Sequence, residues 1–255
     1  MTLLHADRIE AGVGNVAACR DLELSLEAGT VWSILGRNGI GKTTLLLTLA
    51  GLKPLKGGQI CLDGRSLDQL SRRARARKIG LLFQHPEIQF PTTVGETVMS
   101  GRHPWIERWR DSSERDQLIV DQELERVGLQ GFGNRSLSSL SGGERRRVEL
   151  AALAAQQTEM VFMDEPVNHL DLHFQTHLMK DFLADCRAKG RAVMMVMHDV
   201  NLAVRFSDHL LLLFGDGETT QGPVDLIASE ENLSRLYQHQ LHRYPAGNEF
   251  FFYPA

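Results

Sequence analysis

Eight consecutive residues, Gly36-Arg37-Asn38-Gly39-Ile40-Gly41-Lys42-Thr43, have the types and spacing that wrap a polyphosphate. Backbone N–H groups do the wrapping, so side chains must be absent where the loop comes closest, and Gly36, Gly39 and Gly41 meet that need. Lys42 supplies a full positive charge for the β- and γ-phosphates, and the Thr43 hydroxyl is a ligand for Mg²⁺. Apolar residues 31–35 precede the loop and Leu/Thr-rich residues 43–50 follow it, with Gly51 at the helix end. That context is strand, loop, helix, with the helix N-terminus facing the phosphates.

Such a loop needs a carboxylate at the end of a neighbouring strand to orient the metal. Met160-Val161-Phe162-Met163-Asp164-Glu165 supplies one. Asp164 would hold the Mg²⁺ shell, directly or through water, and Glu165 would polarise the attacking water. A third segment, Leu140-Ser141-Gly142-Gly143-Glu144, reads first as a helix start in which Ser141 and Glu144 form a capping box. Two glycines just inside a helix each cost roughly 1 kcal/mol relative to alanine. A second anion-binding helix terminus accounts for a backbone left that bare.

The elements that must position these residues can be traced along the chain. Residues 22–26 alternate with period two, Ala28-Gly29 breaks the pattern and residues 31–35 are a short apolar run, which predicts a hairpin. Residues 59–62 predict a strand ending in an Asp63-Gly64 turn, and residues 79–83 a buried strand. Between Pro91 and about Ala155 the texture is polar and helix-forming. Strand 160–163, helix 172–188 with Leu178, Met179, Phe182, Leu183 and Cys186 on one face, and strand 192–197 then predict a mainly parallel, doubly covered sheet. The Arg-rich run 72–78 reads as a solvated helix face.

Taken together, the phosphate loop, LSGGE, the strand ending in Asp-Glu and a following His198 resemble the ATP-binding cassette family of transport ATPases, from about Leu3 to Tyr237. The resemblance implies an α/β P-loop NTPase with a RecA-type core, an N-terminal antiparallel β region and an inserted helical subdomain. Residues 1–91 and 159–255 would form the nucleotide-binding core and 92–158 the insert carrying LSGGE. It implies ATP and Mg²⁺ as ligands, with Gly36, Arg37, Asn38, Gly39, Ile40, Gly41, Lys42, Thr43 and Thr44 on the ATP. Ser141, Gly142 and Gly143 would meet the ATP of a partner subunit, together with Asp171 from the interface segment Asn168-His169-Leu170-Asp171. Gln84 matches the residue that touches Mg²⁺ and water and senses the membrane subunit; His198 matches the one that contacts the γ-phosphate. Catalysis would rest on Glu165, His198 and Gln84, and the metal on Thr43, Gln84 and Asp164. One position departs from the family: Val13 stands where an aromatic ring stacks on adenine, and no Phe, Trp or Tyr occurs before Trp32.

Segments Phe90-Pro91-Thr92-Thr93-Val94-Gly95-Glu96 and Gly101-Arg102-His103-Pro104-Trp105, with residues 168–171, are most similar to importers of iron-siderophores, haem or vitamin B12. That implies a homodimer at the cytoplasmic face of the inner (cell) membrane, peripheral, on integral permease subunits served by a periplasmic or extracellular binding protein. Another importer, or a regulatory nucleotide-binding module without transport, is the alternative; Glu165 and His198 count against the second. The short separation of Lys42 from Ser141 leaves no room for the long coiled coil of chromosome-maintenance ATPases, and single motifs do not make a two-cassette translation factor.

Composition bounds the rest. The 255 residues are 42% hydrophobic and 24% charged, so a sizeable core is expected, and 28 Lys+Arg against 32 Asp+Glu give a net charge of −4 with no positive field to hold nucleic acid. Three distant cysteines without a CxxC pair argue against a disulfide framework or a zinc site. Charged residues within 1–12 predict no secretory signal, and apolar runs such as 193–197 fall far below the roughly 20 residues of a spanning helix. Any membrane work therefore means docking on another subunit. Residues 250–253 predict a packed strand, and His239 and His242 read as structural.

Overall fold

The computed structural model describes residues 1–83, 91–107, 112–167, 172–246 and 249–255. The chain divides into two compact units, Met1–Leu70 with Asp185–Ala255, and Ser71–Ala184.

The first unit opens with β1 (Thr2–Val13) and β2 (Val16–Glu27), paired antiparallel across Gly14-Asn15. Leu22, Leu24 and Leu26 point inward and their neighbours outward, the alternation of a sheet with one dry face. After β3 (Val31–Gly36) and α1 (Lys42–Leu49), β4 (Gly57–Leu62) pairs with the other side of β1, and β5 (Arg65–Ser66) folds back on β4. Asp63 and Gly64 make that turn with φ of 48° and 73°, the left-handed pair that a two-residue hairpin demands.

The expected hairpin between residues 22–26 and 31–35 does not form. β2 takes β1 as its antiparallel partner, while β3 runs parallel between β8 (Ala192–Val196) and β9 (His209–Gly215). Every residue of β3 is buried, and a strand dry on both faces belongs inside a parallel sheet, so the Ala28-Gly29 break carries the chain from one sheet to another. In α1, Leu45, Leu46 and Leu49 are buried, and Gly51 follows the helix at φ 70°.

The second unit begins with α2 (Arg72–Lys78), capped by Ser71; none of its residues is buried, and Arg73 and Arg77 donate to the Pro104 carbonyl. β6 (Ile79–Leu82) pairs parallel with β7 (Met160–Asp164). Their register ends at Leu82 and Met163, so Phe83, expected inside the strand, is exposed beyond it. Helices α3 (Val94–Ser100), α4 (Glu114–Arg126) and α5 (Gly142–Ala155) enclose Val94, Val98, Val120, Leu124 and Val148. All three begin with a capping box, Thr93/Glu96, Ser113/Asp116 and Ser141/Glu144. A buried ion pair joins two of their ends: Arg102 Nε donates to Asp116 Oδ1 at 2.8 Å and its Nη1 to the Ala155 carbonyl at 2.7 Å. Hydrogen bonds from Ser113, and then from Arg102, hold the Asp116 carboxyl below its usual range. Along α6 (Leu172–Ala188), Met179, Leu183 and Cys186 face inward.

The first unit is completed by α7 (Val200–Phe206), β10 (Glu218–Pro223), α8 (Val224–Ile227), α9 (Glu230–Tyr237) and a hairpin of β11 (Leu241–Ala246) and β12 (Glu249–Pro254). Its parallel strands lie in the order β10-β9-β3-β8, with β10 antiparallel at the edge. In β12, Phe252 is buried while Phe251 and Tyr253 are exposed, so the aromatic end packs on one side only. The three cysteines are thiols, and burial pushes Cys19 and Cys186 up to about 11.

Candidate nucleotide site

β3 ends at Gly36 and delivers the loop to the N-terminus of α1. Gly39 has φ 76° and Gly41 φ 105°, both in the left-handed region that glycine enters without strain. A Cβ on Gly41 would stand 2.6 Å from that of Ala18, and one on Gly36 would stand 2.9 Å from the Leu213 carbonyl oxygen. Beside Gly39 the space is open. Two glycines are thus required by what lies behind the loop, and the third by its bend.

Gly41 is the N-cap of α1; it gives no side-chain cap, and the first turn contains no acidic residue. The helix N-terminus therefore carries a partial positive charge with no anionic side chain in its own first turn. Lys42, only 6% exposed, lies back over the loop, its Nζ donating to the carbonyls of Gly36 at 2.8 Å and Arg37 at 3.1 Å. Arg37 donates to Gln238 Oε1 at 2.6 Å, and Thr44 Oγ1 accepts from Lys53 at 3.3 Å. Beside the loop opens a cavity of about 650 Å³, lined by Val16, Ala17, Asn38, Ile40 and Phe214 among others. His198 lies two residues past β8, the neighbour of β3, and so at the same carboxyl edge as Gly36. A helix N-terminus with Lys42 beside it, behind an enforced glycine loop, fits a nucleotide polyphosphate, and the Thr43 hydroxyl is of the right chemistry for its Mg²⁺. At the position expected to stack on adenine, Val13 is 55% exposed.

In the second unit Asp164 closes β7 and is buried, and Glu165 follows with φ 50°. Ser141 holds the N-terminus of α5: its hydroxyl accepts from the Glu144 N–H at 3.2 Å, while Glu144 Oε2 accepts from the Ser141 N–H and O–H at 2.8 Å. Hydrogen bonds from Ser141 hold the Glu144 carboxyl below its ordinary value, the backbone one contributing most. Gly142 and Gly143 sit in the first turn with ordinary helical backbone, and Gly142 is exposed. Gln84 and the segment Asn168, His169, Leu170 and Asp171 lie outside the described residues.

One residue of this region escaped the motif reading. Arg146, 4% exposed inside α5, donates to the main-chain carbonyls of Asp164, Glu165, Pro166 and Phe83. In the sequence it is only the middle of three arginines, Arg145, Arg146 and Arg147, that directly follow LSGGE.

A buried parallel strand, a glycine loop with left-handed bends and an open helix end define the class of P-loop nucleotide-binding α/β proteins. The model of the ABC transporter family matches residues 19–168, and the chain belongs to that family, whose general activity is ATP hydrolysis. The achromobactin transport ATP-binding protein CbrD of Dickeya dadantii (strain 3937) is 36% identical over 233 residues, 89% of this chain and 85% of the relative. The hemin import ATP-binding protein HmuV of Rhodococcus jostii (strain RHA1) is 35% identical, over 92% of this chain and 80% of the relative. Among solved structures, an inward-facing putative metal-chelate type ABC transporter shares the fold with a TM-score of 0.86 at 24% identity, over 100% of this chain and 98% of that one. Importer ATP-binding subunits of this kind work with membrane permease components. Among the described residues no helix is long and apolar enough to cross a membrane.

Proposed function

We propose that the chain is the ATP-hydrolysing subunit of an importer of iron chelates, haem or cobalamin. It works as a homodimer docked on permease subunits at the cytoplasmic face of the inner membrane, with a periplasmic or extracellular binding protein delivering the substrate. The observation that carries the nucleotide chemistry is the enforced glycine loop, with left-handed Gly39 and Gly41, over which Lys42 lies at the N-terminus of α1. The substrate class is supported by the relatives, which include transport proteins for achromobactin and hemin.

In this reading Lys42 neutralises the γ-phosphate, Glu165 polarises the attacking water and His198 orients the phosphate. Ser141, Gly142, Gly143 and Asp171 meet the partner's ATP. Residues 92–158 act as the subdomain that brings LSGGE to the partner, and 1–91 with 159–255 act as the core. Mg²⁺, held by Thr43, Asp164 and Gln84, supplies charge neutralisation at the phosphates when bound. Deleting the gene and measuring uptake of labelled ferric siderophore, haem and cobalamin tests the substrate class: loss of one with the others intact identifies the cargo, and no loss in any overturns the assignment. Turnover of Mg-ATP by the purified chain tests the ATPase directly.

A further inference from the structure

We propose that Arg146 is a positioning residue for the hydrolytic step: it fixes the main chain carrying Asp164 and Glu165 and couples that segment to helix α5. The inference rests on Glu165 being the base.

An arginine within a helix ordinarily extends to solvent, yet Arg146 is 4% exposed and every arm of its guanidinium is engaged. Nε donates to the Pro166 carbonyl at 3.1 Å. Nη2 donates to the carbonyls of Asp164 at 3.1 Å and Glu165 at 2.8 Å. Nη1 donates to the Phe83 carbonyl at 2.9 Å and to Glu149 Oε2 at 2.7 Å, so the buried cation has its counter-ion one turn along the same helix. Three consecutive carbonyls converge on one cation only if the chain bends sharply after β7. That bend runs through Glu165 at φ 50°, a conformation non-glycine residues seldom adopt. Backbone strain at such a position persists where surrounding bonds over-determine it, which is what this planar, many-armed donor does.

Two consequences follow for the site. The direction in which the Glu165 carboxylate leaves the backbone is set by a peptide segment held by Arg146. The same guanidinium holds the Phe83 carbonyl, immediately before Gln84, and sits five residues after Ser141 on one helix. A shift of α5 when Ser141 meets the partner's ATP therefore moves the anchor of this chain's own base. Arg146 makes the signature helix and the base one mechanical piece.

Steady-state turnover and ATP binding of the full chain test this with Arg146→Gln, Arg146→Lys, Glu165→Gln and the Arg146→Gln/Glu165→Gln double variant. Arg146→Gln is expected to lower kcat about 10²-fold, the order that a misplacement of about 1 Å costs, with KM for ATP changed less than about threefold. In the Glu165→Gln background the same change should lower residual turnover by less than about twofold, because the group being positioned is gone. Equal loss in both backgrounds would mean general structural damage and overturns the proposal. If Arg146→Gln does not fold, Arg146→Lys and Glu149→Gln replace it: lowered kcat at unchanged KM supports positioning, and wild-type kcat in both overturns it. An inactive wild type, or a fully active Glu165→Gln, instead overturns the assignment of the base on which the inference rests.

Discussion

Helices α1 and α5 both have glycine at their start, at the N-cap of α1 and in the first turn of α5, and their ends are finished in opposite ways. Gly41 caps α1 in the left-handed region and, having no side chain, makes no cap hydrogen bond, whereas Ser141 caps α5 in an extended conformation and exchanges hydrogen bonds with Glu144. The first end has neither a capping side chain nor an acidic residue of its own. The second satisfies itself, with the same box that Ser113 and Asp116 build on α4, where Glu114 and Arg115 occupy the next two places. Glycines at 142 and 143 are therefore not needed for capping. What they provide is access, since an exposed N-terminal turn without Cβ atoms lets another surface approach its backbone.

The largest expected effect tests the open end: Lys42→Ala should lower turnover by about 10²–10³-fold or more, the size of losing a charge-stabilising group. Retained turnover would break the contrast at once. Exchanging glycine for alanine at the two ends should then give opposite signs. Gly41→Ala, at φ 105° and 2.6 Å from Ala18, should abolish nucleotide binding and lower the Tm. Gly142→Ala should raise stability by up to about 1 kcal/mol yet, if α5 meets a partner's ATP as proposed, depress turnover at saturating ATP. If Gly142→Ala leaves turnover unchanged, the access role is wrong.

Beside the phosphate loop, exposed Val13 stands where an aromatic ring is expected to stack on the base. Val13→Tyr should tighten ATP by about tenfold, within the roughly 1–3 kcal/mol of an aromatic stack on a base. An unchanged dissociation constant by titration refutes that idea. Ser141→Ala removes a cap and should cost about 1 kcal/mol of stability, read as a Tm shift that the open end of α1 has no counterpart for.

Acid separates the two ends most gently. The Glu144 carboxyl is held below its ordinary 4.5 in the folded chain, so its contribution is complete above that value and fades as pH falls through the lower folded one. Hydrogen exchange at the first turn of α5 should quicken over that range in the wild type, and Glu144→Gln should remove the pH dependence. The first turn of α1 lacks an acidic residue and should show no such step of its own.

Much of the second helix start was readable from Ser141 and Glu144 because capping is chemistry between residues three apart. Helix 172–188 was readable for a related reason: Met179, Leu183 and Cys186 recur with the helical period. Strand partners were not. Residues 31–35 look like a continuation of 22–26, but their pairing with β8 and β9 reaches more than 150 positions along the chain, and no local pattern carries that information. Arg146 was hidden by the same gap, since its partners are backbone carbonyls, which every residue possesses.

By itself, then, the amino-acid sequence determined the family and pointed to Gly36–Thr43 and the Asp164-Glu165 pair as the proposed phosphate site, because each depends on residue type at short, regular spacing. The tertiary structure alone decided that Gly41 is fenced by Ala18, that β3 is a parallel interior strand and that one buried guanidinium holds the turn behind Glu165. Those facts depend on which distant backbone groups meet, and burial, which makes an unpaired carbonyl costly, is what selects them.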